Sequence, residues 1–199
     1  MRLALILASF FSLAATTVVA KEKNFVYAAH WSPKNKCEVK PNRIVSVNPN
    51  DPLDFCLILP LKPHVNIPDS ETDNGAMTYC SGKAFSDPSQ RRLPDKFFSH
   101  VDVRQGAGKN KKKYVQMTGC FRREKFGFND DDEGGQYDNG SKGHPKCSKC
   151  VGFDHYVSLI EPAENRACLR CCEDPADCPT NMDTQGCEAV IPGNYFDCN

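Results

Sequence analysis

Four cysteines fall within the short stretch CLRCCEDPADC, from Cys168 to Cys178. With Cys147 and Cys150 upstream they allow two chemistries. C-x2-C at Cys147 and Cys150, repeated at Cys168 and Cys171, has the spacing of a zinc ribbon, in which four thiolates converge on one Zn2+. The alternative is a disulfide framework. The chain carries 12 cysteines: Cys37, Cys56, Cys80, Cys120, Cys147, Cys150, Cys168, Cys171, Cys172, Cys178, Cys187 and Cys198. An even count in an exported chain implies full pairing. Cys172, Cys178, Cys187 and Cys198 would also compete for the ribbon's ligands, and Cys172 would sit loose beside Cys171. Disulfides are therefore expected and no metal is. The pairing stays open, except that Cys171 and Cys172 are adjacent and should reach different partners. Full pairing leaves no thiol to act as a nucleophile.

Other residues have candidate chemistry of their own. Asp130, Asp131, Asp132, Glu133 and Asp138 supply oxygen ligands among glycines, the materials of a calcium site. They do not fall in EF-hand register, and a solvated acidic loop is the alternative. Asn139-Gly140-Ser141 is an N-glycosylation acceptor. Lys109, Lys111, Lys112 and Lys113 form a basic tip, suited to a polyanion or simply to a soluble hairpin end whose charge discourages edge pairing. Trp31, Tyr137, Tyr195 and Phe196 are candidates for stacking on sugar rings. The histidines at 30, 64, 100, 144 and 155 are scattered. No H-E-x-x-H or G-x-S-x-G occurs, and GAGK lacks the spacing of a phosphate loop. His100 and Asp102 share one face of a strand, which makes an acid–base pair or a surface pair. Carboxylates are plentiful, but nothing selects two of them as a glycosidase pair. No catalytic residue can be named and no cofactor is expected.

The elements that must position these residues follow from the rest of the chain. MRLALILASFFSLAATTVVA reads as a signal peptide over residues 1–20, cleaved after Ala20. Its apolar run falls short of the ~20 residues a spanning helix needs. The chain has 25 basic and 25 acidic residues, and loss of Arg2 leaves one net negative charge. That balance gives no reason to expect nucleic acid or a membrane as partner. Residues 21–199 form one secreted domain by length. Dispersed proline and glycine disfavour long helices. NFVYAAHW, RIVSVN, DFCLILPL, AMTYCS and SHVDVRQ have strand character. In the last, Val101 and Val103 face one way and His100, Asp102 and Arg104 the other. GAGKNKKK joins SHVDVRQ to YVQMTGCF as a hairpin. PAEN joins HYVSLIE to RACLRCC as a second. DPAD, from Asp174 to Asp177, reads as one helical turn capped by Asp174. Residues 128–146 have no hydrophobic period and are expected to form a long exposed acidic, glycine-rich loop. The predicted fold is mainly β: one disulfide-rich β-sandwich or open barrel, with an irregular crosslinked C-terminal lobe over residues 147–199.

The motifs FCLILP, YVQMTGC, DEGGQYD and NRACLRCCEDPADCPTNMDTQGCEAVIPGNYFDC give the chain a resemblance to small secreted cysteine-rich proteins of fungi. The resemblance runs from about Arg43 to Cys198. It implies a fungal source and an extracellular location, and it supplies no activity and no catalytic residue. The expected function is a non-catalytic extracellular protein that binds a wall polysaccharide or a host protein through loops on a crosslinked scaffold. The alternatives are a secreted hydrolase or lyase of wall polysaccharide and a structural wall component. A deep cleft with two facing carboxylates would mark the enzyme, and a flat face with an exposed aromatic the binder.

Overall fold

A computed structural model describes residues 38–198. The proposed leader, the segment NFVYAAHW with Trp31, and Cys37 lie outside the described residues.

Most alternating segments form strands. β1 (Ile44–Val47), β2 (Phe55–Pro60) and β3 (Ala76–Cys80) pair antiparallel, with β2 in the middle. Two-residue strands, β4 (Arg91–Arg92) and β8 (Lys149–Cys150), add in parallel at the edges. The first sheet thus runs β4-β3-β2-β1-β8. The second is wholly antiparallel. It contains β5 (Phe98–Ala107), β6 (Lys113–Phe121), β7 (Gly135–Asp138), β9 (His155–Glu161) and β10 (Arg166–Cys172), in the order β5-β6-β10-β9-β7. Both predicted hairpins are present, β5–β6 and β9–β10. At Gly119 on β6, a Cβ would fall 2.3 Å from the His100 carbonyl of β5, so only glycine lets the two strands approach there.

The core lies between the sheets. Phe55, Leu57, Leu59, Met77 and Tyr79 come from the first, and Val115, Met117, Tyr156, Ile160 and Leu169 from the second. Each such side chain contributes about 1.5–3 kcal/mol by leaving water. Phe97, Phe98, Phe121, Phe126 and Phe128 pack ring to ring within the same core. The chain is therefore a mainly β, cysteine-rich, two-sheet protein.

The expected exposed loop over residues 128–146 is corrected. Phe128 is buried in the aromatic group, and Gly135–Asp138 is the β7 edge strand, paired with Val157–Ile160. Asp132, Tyr137 and Asp138 are buried. β7 is only four residues long and offers one large apolar side chain, too little for a hydrophobic period to appear.

The C-terminal segment divides in two. His155–Cys172 forms the expected hairpin, as part of the second sheet, and residues 173–198 form a third layer on its outer face. Val157, Leu159 and Cys168 pack there against Cys187, Val190, Ile191 and Tyr195. Outward polar groups of β6 hold the tail's backbone: Gln116 Nε2 donates to the Pro192 carbonyl at 3.0 Å and Thr118 Oγ1 to that of Asn194 at 2.7 Å.

Disulfides tie these layers. Cys56–Cys80 links β2 to β3, and Cys150–Cys171 crosses from the first sheet to the second. Cys120–Cys198, Cys168–Cys187 and Cys172–Cys178 fasten the tail to the second sheet. Cys147 is also disulfide-bonded, and no described cysteine is free. Every described sulfur of the zinc-ribbon alternative is thus consumed. Cys171 and Cys172 point to opposite faces of β10 and reach different partners, as expected of adjacent residues on a strand.

Candidate ligand-binding surfaces

The lysine-rich tip is docked, not free. Lys109 N donates to Asp177 Oδ1 at 2.8 Å, Asn110 Nδ2 to Asp174 Oδ2 at 2.7 Å and Lys113 N to Glu173 Oε2 at 3.1 Å. Asp174 also caps the predicted turn over Pro175–Asp177, accepting from Ala176 N. The Asn110 and Ala176 hydrogen bonds hold its carboxyl below the usual range. A Cβ at Gly108 would displace the Asp177 carboxylate from this contact. The four lysine side chains remain exposed, and none enters an ion pair among the described residues.

The five acids proposed for calcium are not drawn to one point. Asp130, Asp131 and Glu133 are surface groups around the buried Asp132. Asp132 Oδ2 accepts from Ile67 N at 2.8 Å, and its Oδ1 accepts from Gly134 N at 2.9 Å. Asp138 Oδ1 accepts from Gly140 N, and its Oδ2 from Gln136 Nε2. Among the described residues no group of three or more His, Cys, Asp or Glu side chains is arranged to hold a metal. Asp132 and Asp138 serve as backbone caps.

Acid–base chemistry finds little support in the same groups. Burial raises the carboxyl of Glu71 and that of Asp138 above their ordinary range. Glu71 Oε1 accepts from Gln136 N at 2.7 Å. Asp138 has both oxygens engaged, so it is not poised toward a substrate. His100 and Asp102 are also separately occupied: Asp102 pairs with Arg104 at 2.6 Å, and His100 stacks on Phe196.

Two open depressions lie on the tail side of the second sheet. The larger, about 550 Å³, separates residues 139–141 from residues 175–181 and includes His155. It is lined by amides, hydroxyls, prolines, Ala176, the Cys178 half-cystine and one imidazole, and by no carboxylate. Asn139 stands in its wall. Asn139 Nδ2 donates to the Asp154 carbonyl at 2.8 Å and its Oδ1 accepts from Tyr156 N at 3.0 Å.

The smaller depression, about 460 Å³, is bordered by Glu188, Asn194 and Phe196. Phe196 is 41% exposed, and only Leu53 joins it as an exposed large hydrophobic residue among those described. One face of its ring is backed by His100, with centroids 5.1 Å apart. Its φ is +54°, a region a bulky side chain rarely adopts. Asn194 Oδ1 accepts from Phe196 N at 3.2 Å, and Cys198, two residues on, is locked to Cys120. No known family, curated protein or solved structure matches the chain. The assignment of these surfaces therefore rests on their own chemistry.

Of the three aromatic candidates among the described residues, Phe196 alone is presented. Tyr137 is fully buried, with its hydroxyl on Ser70. Tyr195 is turned inward within the tail, donating to the Ile191 carbonyl at 2.6 Å. Burial pushes both phenols well above their ordinary value. Sequence reasoning missed the larger depression, whose walls are far apart in the chain.

Proposed function

We propose that this protein is a secreted, non-catalytic binder of extracellular polysaccharide, with Phe196 as its stacking platform. The observation that carries the reading is a strained, exposed ring, backed on one face by His100 and set beside Asn194 and Glu188. A sugar ring has an apolar C–H face and a rim of hydroxyls, and such a site offers partners for both. Strain at a solvent-exposed aromatic persists where its surroundings fix it and a role selects it. The dense disulfides support an extracellular setting. The resemblance to cysteine-rich secreted proteins of fungi points to a cell wall or host surface as the place of action. The exposed lysines would add attraction for an acidic polymer, reduced by salt.

The reading is tested with oxidised protein against a panel of insoluble and soluble polysaccharides, scoring both retention and sugar release. Retention without release is expected for at least one polymer. Phe196→Ala should weaken it about tenfold, from loss of stacking and buried area. Phe196→Trp should preserve binding and report it by fluorescence, since Trp31 is the chain's one other tryptophan. Release of soluble sugar would replace the binder with a hydrolase or lyase, and equal retention of Phe196→Ala would remove Phe196 from the site.

A further inference from the structure

We propose that the larger depression is filled by the protein's own glycan, attached at Asn139. This goes beyond the polysaccharide reading and shares with it only passage through the secretory route. The glycosylation acceptor and the depression are the same place: Asn139, Gly140 and Ser141 form one wall. The opposite wall offers Pro175, Ala176 and Pro179 as an apolar strip, with Thr180, Asn181 and His155 as hydrogen-bonding groups. That combination suits an N-acetylhexosamine, whose ring face is apolar and whose amide and hydroxyls are polar. The volume, about 550 Å³, lies in the ~300–1,000 Å³ range of small-ligand sites.

The anchor is set for such an attachment. Both polar atoms of the Asn139 side chain are fixed by backbone partners, Asp154 and Tyr156. Attachment forms a bond from the sugar's C1 to Nδ2, which loses one of its two protons. The C1–oxygen bond of a lipid-pyrophosphate-linked oligosaccharide breaks, the lipid pyrophosphate leaves with the bonding electron pair, and the proton from Nδ2 passes to water. The modified nitrogen keeps one hydrogen for the Asp154 carbonyl, and Oδ1 still accepts from Tyr156. The linkage can therefore form on the nascent chain and be retained in the fold. From this rigid stem the first sugars meet the wall formed by residues 175–181, which Cys172–Cys178 holds to β10.

The test is expression behind a well-behaved secretory leader in a glycosylating eukaryotic host, which removes any dependence on residues 1–20. Intact mass should show one N-glycan, lost in Ser141→Ala. Amidase release of that glycan from native protein should be at least about tenfold slower than from reduced, denatured protein, because cleavage then waits on local opening. Asn181→Trp places a bulky ring in the depression from an exposed position and should leave occupancy unchanged while restoring fast release. Secreted, fully oxidised protein without a glycan at Asn139 would overturn the inference. So would a glycan that native wild-type protein releases as fast as denatured protein does. Polysaccharide retention, measured on Phe196 variants, is a separate readout at a separate surface, so either idea can fail alone.

Discussion

At the residue scale, the lysine tip contains a backbone conflict that a single change should relieve. Asn110 and Lys111 have φ of +56° and +57°, and Lys112 N donates to the Lys109 carbonyl across them. This is a type I′ turn, in which asparagine suits the first central position and glycine the second. Lys111→Gly should stabilise the protein by about 0.5–1 kcal/mol in equilibrium urea unfolding, because the left-handed conformation then carries no Cβ penalty. A second case is Glu161, buried at the end of β9. Its Oε2 accepts from Arg166 Nε at 2.6 Å and its Oε1 from Cys187 N at 3.0 Å. Arg166→Met should cost about 3 kcal/mol by leaving that carboxylate uncompensated, and adding Glu161→Gln should recover much of the loss. The pH response follows from Glu71 and Asp138. Their folded-state carboxyls are raised, chiefly by desolvation, so the folded state holds protons that the unfolded chain has already lost. Their contribution is fully present below the ordinary carboxylate range and is lost as pH rises through the raised folded values. Glu71→Gln should flatten that decline in a series of thermal melts across pH. An unchanged slope would show that Glu71 does not titrate in the fold.

At the element scale, the tail over residues 173–198 depends on its crosslinks. Chain-entropy reasoning gives about 2 kcal/mol for the short Cys172–Cys178 loop and about 4.5 kcal/mol for Cys120–Cys198, whose ends are 78 residues apart. Replacing each pair by alanine should rank in that order in urea unfolding. The Cys120–Cys198 variant should also lose Phe196-dependent retention, because its ring no longer rests on His100. The strands of both hairpins were legible, since Val115, Met117, Leu169 and Cys171 alternate with residues of the opposite face. β7 was not, and the cause is physical: acidic residues usually mark solvent, whereas Asp132 and Asp138 are buried by capping backbone N–H groups. Nothing in the composition separates a solvated carboxylate from a capping one. Edge strands two residues long, such as β4 and β8, are likewise too short for a pattern to form.

At the scale of the whole molecule, the mainly β class, the disulfide framework and the separate destinations of Cys171 and Cys172 could all be read from cysteine spacing and alternation. The layering could not. Whether the tail hangs beside the sandwich or covers a sheet depends on outward groups such as Gln116 and Thr118 meeting carbonyls 76 residues away. The candidate surfaces share this origin. Phe196 was visible as an aromatic, but its exposure and strain arise only once the tail is fastened across β6.

The adjacent sulfurs of Cys171 and Cys172 also bear on how the molecule is assembled. Each lies on its own side of β10, one bonded across the interior to Cys150 and the other beneath the tail to Cys178. A slip of β10 by one position would turn both inside out together, presenting each thiol to the wrong neighbour. Cys171 then meets Cys150 across the interior only when the strand is in its native alignment, so closure of that bond reports correct register, whereas the local Cys172–Cys178 bridge does not.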